Sequence, residues 1–171
     1  VDYHAISIEY EVASMQQRIL ETATALVACG LTPERCIVSV QSHVPEHTEL
    51  AWIFNCVTPV GELERMTQFK EKGRQHRHNV NVGLLDYPVL QAADILIYKT
   101  GYVPVGEDQI QHVEFSREIA RKFNARFGNT FPEPQVLLSD APRILGTDGG
   151  AKMSKSLNNA IGLLDPSEAI W

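Results

Sequence analysis

Val103-Pro104-Val105-Gly106-Glu107-Asp108-Gln109 is a short β-branched run that passes through a glycine directly into the head of a long amphipathic stretch. That order reads as a strand running into a helix. Gly106 permits close backbone approach to a ligand. The helix start beyond it offers unpaired N–H groups and partial positive charge. Open α/β sheets bind ligands at the carboxyl ends of their strands. Asp108 and Gln109 are therefore placed to hydrogen-bond ligand hydroxyl and amino groups, whereas Glu107 serves equally well as a simple cap.

Working outward, residues 107–127 carry Ile110, Val113, Ile119, Ala120, Phe123 and Phe127 as one helical stripe. Helical spacing also runs from about Glu11 to Cys29, stopped by Gly30, and through Pro45–Val57, Gly61 to about Lys72, and Leu84–Tyr98. Strands are expected at Val1–Ser7, Cys36–Val40 and Tyr102–Val105. Gly73–Asn81 lacks periodicity and reads as an exposed loop. Pro132-Glu133-Pro134 breaks the pattern, and Pro166 begins another helix. Short strands alternating with helices predict an α/β fold, a parallel sheet flanked by helices. No internal repeat or low-complexity tract interrupts it.

The chain has 171 residues, 44% hydrophobic and 21% charged, which is one domain, or one domain with a small appendage, able to bury a core. No apolar run approaches the roughly 18 residues of a membrane span. The opening residues lack the pattern of a signal peptide. A net charge of −6 argues against a chain that coats nucleic acid by bulk electrostatics. Cys29, Cys36 and Cys56 are few and widely spaced, and read as reduced core thiols of a cytoplasmic protein.

Two further stretches carry chemistry. Tyr87, Gln91 and Asp94 are spaced i, i+4, i+7 and so share one face of an otherwise apolar helix. A carboxylate there is costly unless a donor meets it, either a neighbouring protein group or a ligand N–H. Gly146-Thr147-Asp148-Gly149-Gly150-Ala151-Lys152-Met153-Ser154-Lys155-Ser156 is a glycine-rich loop with two lysines and the hydroxyls of Ser154 and Ser156, suited to a polyphosphate. A surface loop with solvated lysines is the alternative. His43 and His47 have zinc-like spacing but no third ligand nearby. His112 is expected to hold local hydrogen bonds. Arg117, Arg121, Lys122 and Arg126 form either a solvated face or a weak phosphate-contacting patch.

Lys152-Met-Ser-Lys-Ser156, Tyr87-Pro-x-Leu-Gln-Ala-Ala-Asp94 and Val103-Pro-Val-Gly-Glu-Asp-Gln109 together resemble bacterial-type tryptophanyl-tRNA synthetases, class I enzymes marked by the KMSKS signature. Asp2–Ile6, Gln41–Pro45 and Gly61–Lys70 match the same family, so the resemblance spans essentially the whole chain. Tyrosyl-tRNA synthetases share the fold and the Tyr/Gln/Asp logic, but Val-Gly-Glu-Asp-Gln-x-x-His is the tryptophanyl form.

The resemblance implies a Rossmann-like catalytic domain. It would activate L-tryptophan with ATP and Mg²⁺, with no dedicated protein ligands for the metal, and transfer it to tRNA(Trp). It also implies a homodimer, with the apolar helix containing Trp52, Ile53 and Phe54 as either interface or core. Asp94 would accept the indole N–H. Tyr87 and Gln109 would hold the amino-acid end, and His4, Gln91, Val103 and Val105 would line the ring pocket. Gly106, Glu107 and Asp108 would meet the ribose, and Ile144 and Met153 the adenine. Lys152, Ser154, Lys155 and Ser156 would bind phosphates, the two lysines stabilising the departing pyrophosphate. Gln91 stands where many members carry methionine. The family's HIGH-type signature would precede Val1 and its helical anticodon-binding domain would follow Trp171. On this reading residues 1–171 are a partial catalytic domain that keeps the tryptophan pocket but is impaired in catalysis. A tyrosyl enzyme, a non-catalytic tryptophan-sensing relative and an unrelated adenylating enzyme are the alternatives.

Overall fold

The computed structural model describes residues 1–67, 80–138, 144–150, 153–154 and 157–170. In chain order these form α1 (Asp2–Ala5), α2 (Val12–Ala28), a 3₁₀ turn (Gln41–His43), α3 (Glu46–Asn55), α4 (Val60–Arg65), α5 (Val82–Leu96), β1 (Tyr102–Pro104), a second 3₁₀ turn (Glu107–Gln109), α6 (Ile110–Phe127), β2 (Gln135–Leu137) and α7 (Ser167–Ile170).

Helix α5 is the element around which the others pack, because its sequence is apolar on nearly every side. Asn81 caps it, its side chain accepting from the Leu84 N–H at 2.9 Å. Helices α3 and α6 pack on it, and α4 touches it as well. Ala92 and Ala93, both fully buried, let these neighbours approach closely. Around them Phe54, Val89, Leu96, Ile119 and Phe131 close the core. The rings of Phe54 and Phe131 meet edge to face at 5.3 Å, and Phe123 lies 5.0 Å from Phe131.

The expected parallel pairing is present as β1 beside β2, with Val103 opposite Val136 and α6 as the crossover between them. Val105 N–H extends the ladder to the Leu137 carbonyl at 3.1 Å. Asn124 turns the chain from α6 toward β2. Its Oδ1 accepts from the Thr130 and Phe131 N–H groups, and its Nδ2 donates to the Phe131 carbonyl at 2.8 Å. The strand β2 was not anticipated, because the prolines before it masked the short apolar run Val136-Leu137-Leu138.

Several expectations give way. Residues 2–5 are helical and not a strand: Ala5 N–H bonds to the Val1 carbonyl and Ile6 N–H to that of Asp2, satisfying the backbone locally. Cys36–Val40 pairs with no strand among the described residues, and Ile37 is 97% exposed. The cysteines are not core thiols. Cys29 and Cys56 are exposed because they stand at the C-caps of α2 and α3. Trp52 and Ile53 face outward, and only Phe54 of that trio joins the core. Helix α2 keeps its expected bounds, yet none of its residues is buried. The helix expected from Gly61 ends at Arg65, with its predicted continuation and the loop to Asn79 outside the described residues. No helix among the described residues is long and apolar enough to cross a membrane.

Phe54→Ala should cost about 3–5 kcal/mol by chemical denaturation, since it empties a fully enclosed site beside two aromatic rings. Trp52→Ala, on the exposed side of the same helix, should stay within about 0.5 kcal/mol of the parent.

Candidate functional site

Asp94 lies on the polar seam of α5, and three side chains from distant segments converge on it. His4 Nε2 stands 2.7 Å from Oδ2. Gln41 Nε2 donates to both oxygens, at 2.8 and 2.9 Å. His47 Nδ1 lies 2.5 Å from Oδ1, with its Nε2 2.9 Å from the Tyr98 hydroxyl. An ionised carboxylate can only accept, so His47 Nδ1 carries the proton in this contact. Burial pushes the Asp94 carboxyl upward, but hydrogen bonds from His4 and Gln41, the charge of His4 and the His47 bond outweigh it. The net pKa lies below the ordinary 3.8.

These donors are themselves held. Gln41 Oε1 accepts the Tyr3 N–H at 3.1 Å, and Asp2 accepts the Ser42 N–H at 3.0 Å, tying α1 to the first 3₁₀ turn. The resemblance places His4 in the ring pocket, but neither it nor the sequence pattern assigns Gln41 or His47 to Asp94. The signal that pointed to them was the buried acid itself, which required donors without naming them. His47 is buried while His43 is exposed, so their i, i+4 spacing does not define a shared ligand pair. Among the described residues no group of three or more His, Cys, Asp or Glu gathers to hold a metal ion.

Asp94 forms a wall between two clefts. One, of about 380 Å³, is lined by His4, Tyr87, Gln91, Asp94, Val103 and Gln109, together with Val1, Ser7 and Ile95. It brings together six of the seven residues expected at the amino-acid pocket; Val105 does not line it. The other, of about 350 Å³, has Ile37, Ser39, Gln41, His47 and Tyr98 on its walls. Tyr87 is buried, and burial pushes its phenol up to about 12, so it stays neutral at ordinary pH. Its hydroxyl lies 2.9 Å from His112 Nε2, so His112 bridges α5 and α6 and does not merely serve its own helix.

Gln91 Nε2 donates to Gln109 Oε1 at 3.4 Å, and Gln109 Nε2 donates to Asp108 Oδ2 at 3.1 Å. This chain joins the first cleft to the turn at the carboxyl end of β1. Gly106 caps that turn in an extended conformation, and Glu107 and Asp108 are exposed on it. In the glycine-rich loop Met153 N–H bonds to the Ile144 carbonyl at 3.0 Å, bringing the two expected adenine contacts side by side. Lys152, Lys155 and Ser156 lie outside the described residues. Three of the four basic residues of α6 are engaged by acids: Arg117 and Arg121 meet Glu133, and Lys122 meets Glu62, while Arg126 lies over the Phe127 ring at 5.1 Å. A solvated, ion-paired face is the better description of that cluster.

A parallel β–α–β unit with a helix-borne acid, a strand-to-turn glycine and a KMSKS loop defines a class I aminoacyl-tRNA synthetase catalytic domain. The family model for tRNA synthetases class I (W and Y) matches residues 1–170, and the chain belongs to that family. The Tryptophan–tRNA ligase of Deinococcus radiodurans is 56% identical over 174 residues, covering 100% of this chain and 52% of the relative. Tryptophanyl-tRNA synthetase from Campylobacter jejuni, solved with ADP and tryptophan, superposes with a TM-score of 0.90 at 40% identity, over 99% of this chain and 53% of that one. The Mycoplasma pneumoniae tryptophanyl-tRNA synthetase gives 0.91 at 36% identity, over 99% and 52%. The chain thus spans about half the length of the relatives it matches, and its fold is the Rossmann-like catalytic domain of class I synthetases.

Because its folded-state pKa is lowered, Asp94 stabilises the fold in full above roughly pH 5 and loses that contribution as pH falls through 3.8 and then its folded value. The stability difference between the parent and Asp94→Asn, measured by urea denaturation, should be level from about pH 7 to about pH 5 and shrink toward about pH 3. A difference that stays level throughout would show that the ionised form is not what the three donors hold.

Proposed function

We propose that this chain carries the tryptophan- and ATP-binding core of a tryptophan–tRNA ligase. The observation that carries the reading is the meeting of Tyr87, Gln91, Asp94, His4, Val103 and Gln109 in one cleft, in a chain so similar to a Tryptophan–tRNA ligase. The indole N–H donates to Asp94, taking the acceptor position that His4 Nε2 meets at 2.7 Å. Tyr87 and Gln109 hold the amino-acid end, and Gln91 and Val103 flank the ring.

In the reaction the tryptophan carboxylate attacks the α-phosphorus of ATP, giving tryptophanyl-adenylate and releasing pyrophosphate. The tRNA(Trp) terminal hydroxyl then attacks the acyl carbon and takes the acyl group, and the acyl–phosphate bond breaks to release AMP. The attacking carboxylate is already a nucleophile, so the protein's work is positioning and charge stabilisation. Gly106, Glu107 and Asp108 meet the ribose, and Ile144 and Met153 the adenine. Lys152, Ser154, Lys155 and Ser156 bind the phosphates, and the lysines neutralise the leaving pyrophosphate. Mg²⁺ arrives with ATP as part of that substrate. The complete protein works in the cytoplasm as a homodimer.

A hydrogen bond to a charged acceptor contributes about 1.5–3 kcal/mol, roughly ten- to a hundredfold in affinity. Calorimetric titration with L-tryptophan, L-tyrosine and L-phenylalanine, with and without ATP and Mg²⁺, should show selective tryptophan binding. Asp94→Ala should lower tryptophan affinity by that factor while leaving phenylalanine nearly unchanged. Equal losses for both would remove the role given to Asp94, and selective tyrosine binding would assign the chain to the sister specificity.

A further inference from the structure

One buried amide ties the glycine-rich loop to itself. Asn159 is only 3% exposed, and a buried amide is kept only where its polar atoms are used. Its Oδ1 accepts the Ser154 N–H at 2.8 Å, and its Nδ2 donates to Asp148 Oδ2 at 3.0 Å. Its own carbonyl accepts the Thr147 N–H at 2.9 Å. Asp148 Oδ1 meanwhile accepts the Gly150 N–H at 3.1 Å. Both the segment before the glycines and the signature itself are thus fastened to one residue.

Gly146 is the counterpart of this clamp. A Cβ at position 146 would stand 2.1 Å from Asn159 Nδ2 and 2.8 Å from its Cβ. The second distance involves the root of the side chain, so rotation of the amide does not relieve it. A glycine is needed at 146 to make room for Asn159. By contrast Gly149 is required by its backbone, at φ +71°.

We propose that Asn159 is a positioning residue for the nucleotide: it sets the course of the chain at Met153 and Ser154, between Lys152 and Lys155 in sequence, toward the phosphates. This rests on the reading of the loop as the ATP phosphate site. Asn159→Asp removes the Nδ2 donor and sets a second carboxylate against Asp148. Adding Asp148→Asn reverses the pair: the new amide at 148 donates to the new carboxylate at 159. The bonds from Ser154 N–H and Gly150 N–H are kept in the reversed pair.

The test is tryptophan-dependent ATP–pyrophosphate exchange in the complete protein, with calorimetric tryptophan binding alongside. N159D should raise the KM for ATP by about tenfold while the tryptophan Kd moves less than about twofold, and D148N/N159D should recover most of the loss. A wild-type KM for ATP in N159D, a parallel loss of tryptophan affinity, or a double variant no better than the single would each overturn the proposal. Lys155→Ala separates the two readings. If it raises the KM for ATP while N159D does not, the role of Asn159 fails alone. If it too leaves the KM unchanged, the phosphate-site reading fails, and Asn159 with it as a nucleotide-positioning residue.

Discussion

An ionised carboxylate inside an apolar helix is the constraint on which this structure turns. Helix α5 is buried by α3 and α6, so Asp94 needs donors that α5 itself cannot supply. They come from positions 4, 41 and 47, separated from Asp94 by 90, 53 and 47 residues. Each bond closes a long loop, so the acid fixes α1, the first 3₁₀ turn and the start of α3 onto the central helix. The entropic cost of such closures rises only slowly with loop length, which makes one well-satisfied acid an effective anchor. Removing any single donor would leave the others crowded round a less well-paired charge.

The same polar seam lines the candidate site. Tyr87 reaches His112 on α6, and Gln91 reaches Gln109 and through it Asp108. The residues facing the first cleft are thus held from behind by the helices and turns that also build the core. A ligand N–H that meets Asp94 finds an acceptor whose position is already set, so little ordering is left to be done on binding. Its competitor for that acceptor is His4, a protein donor already in place.

Much of this was legible in the residues, and the failures share one cause. Helical periodicity located α2, α3, α5 and α6, and the strand-to-helix reading of Val103–Gln109 found β1 and its turn. The i, i+4, i+7 spacing put Tyr87, Gln91 and Asp94 on one face of α5, and all three line the first cleft. What local pattern does not carry is a partner. Residues 1–7 and 36–40 both alternate or cluster like strands, and only an available ladder decides the matter. His47 paired with His43 by spacing but with Asp94 by packing. Cys29 and Cys56 sit in apolar stretches yet stand at helix C-caps, where the chain turns outward. Identity of the donors around Asp94 was a question of three-dimensional neighbours, and the sequence posed it without answering it.

The two halves of the proposed site are held by different means. The first cleft is backed by the fully enclosed face of α5, and its shape changes only if the core changes. The glycine-rich loop has Gly149 and Gly150 exposed and draws its described order from bonds made within itself. Such a segment opens at lower free energy than a core helix. On the reading proposed above, a rigid cleft keeps the choice of amino acid constant, while a loop clamped through one amide adjusts to the phosphates without disturbing that choice.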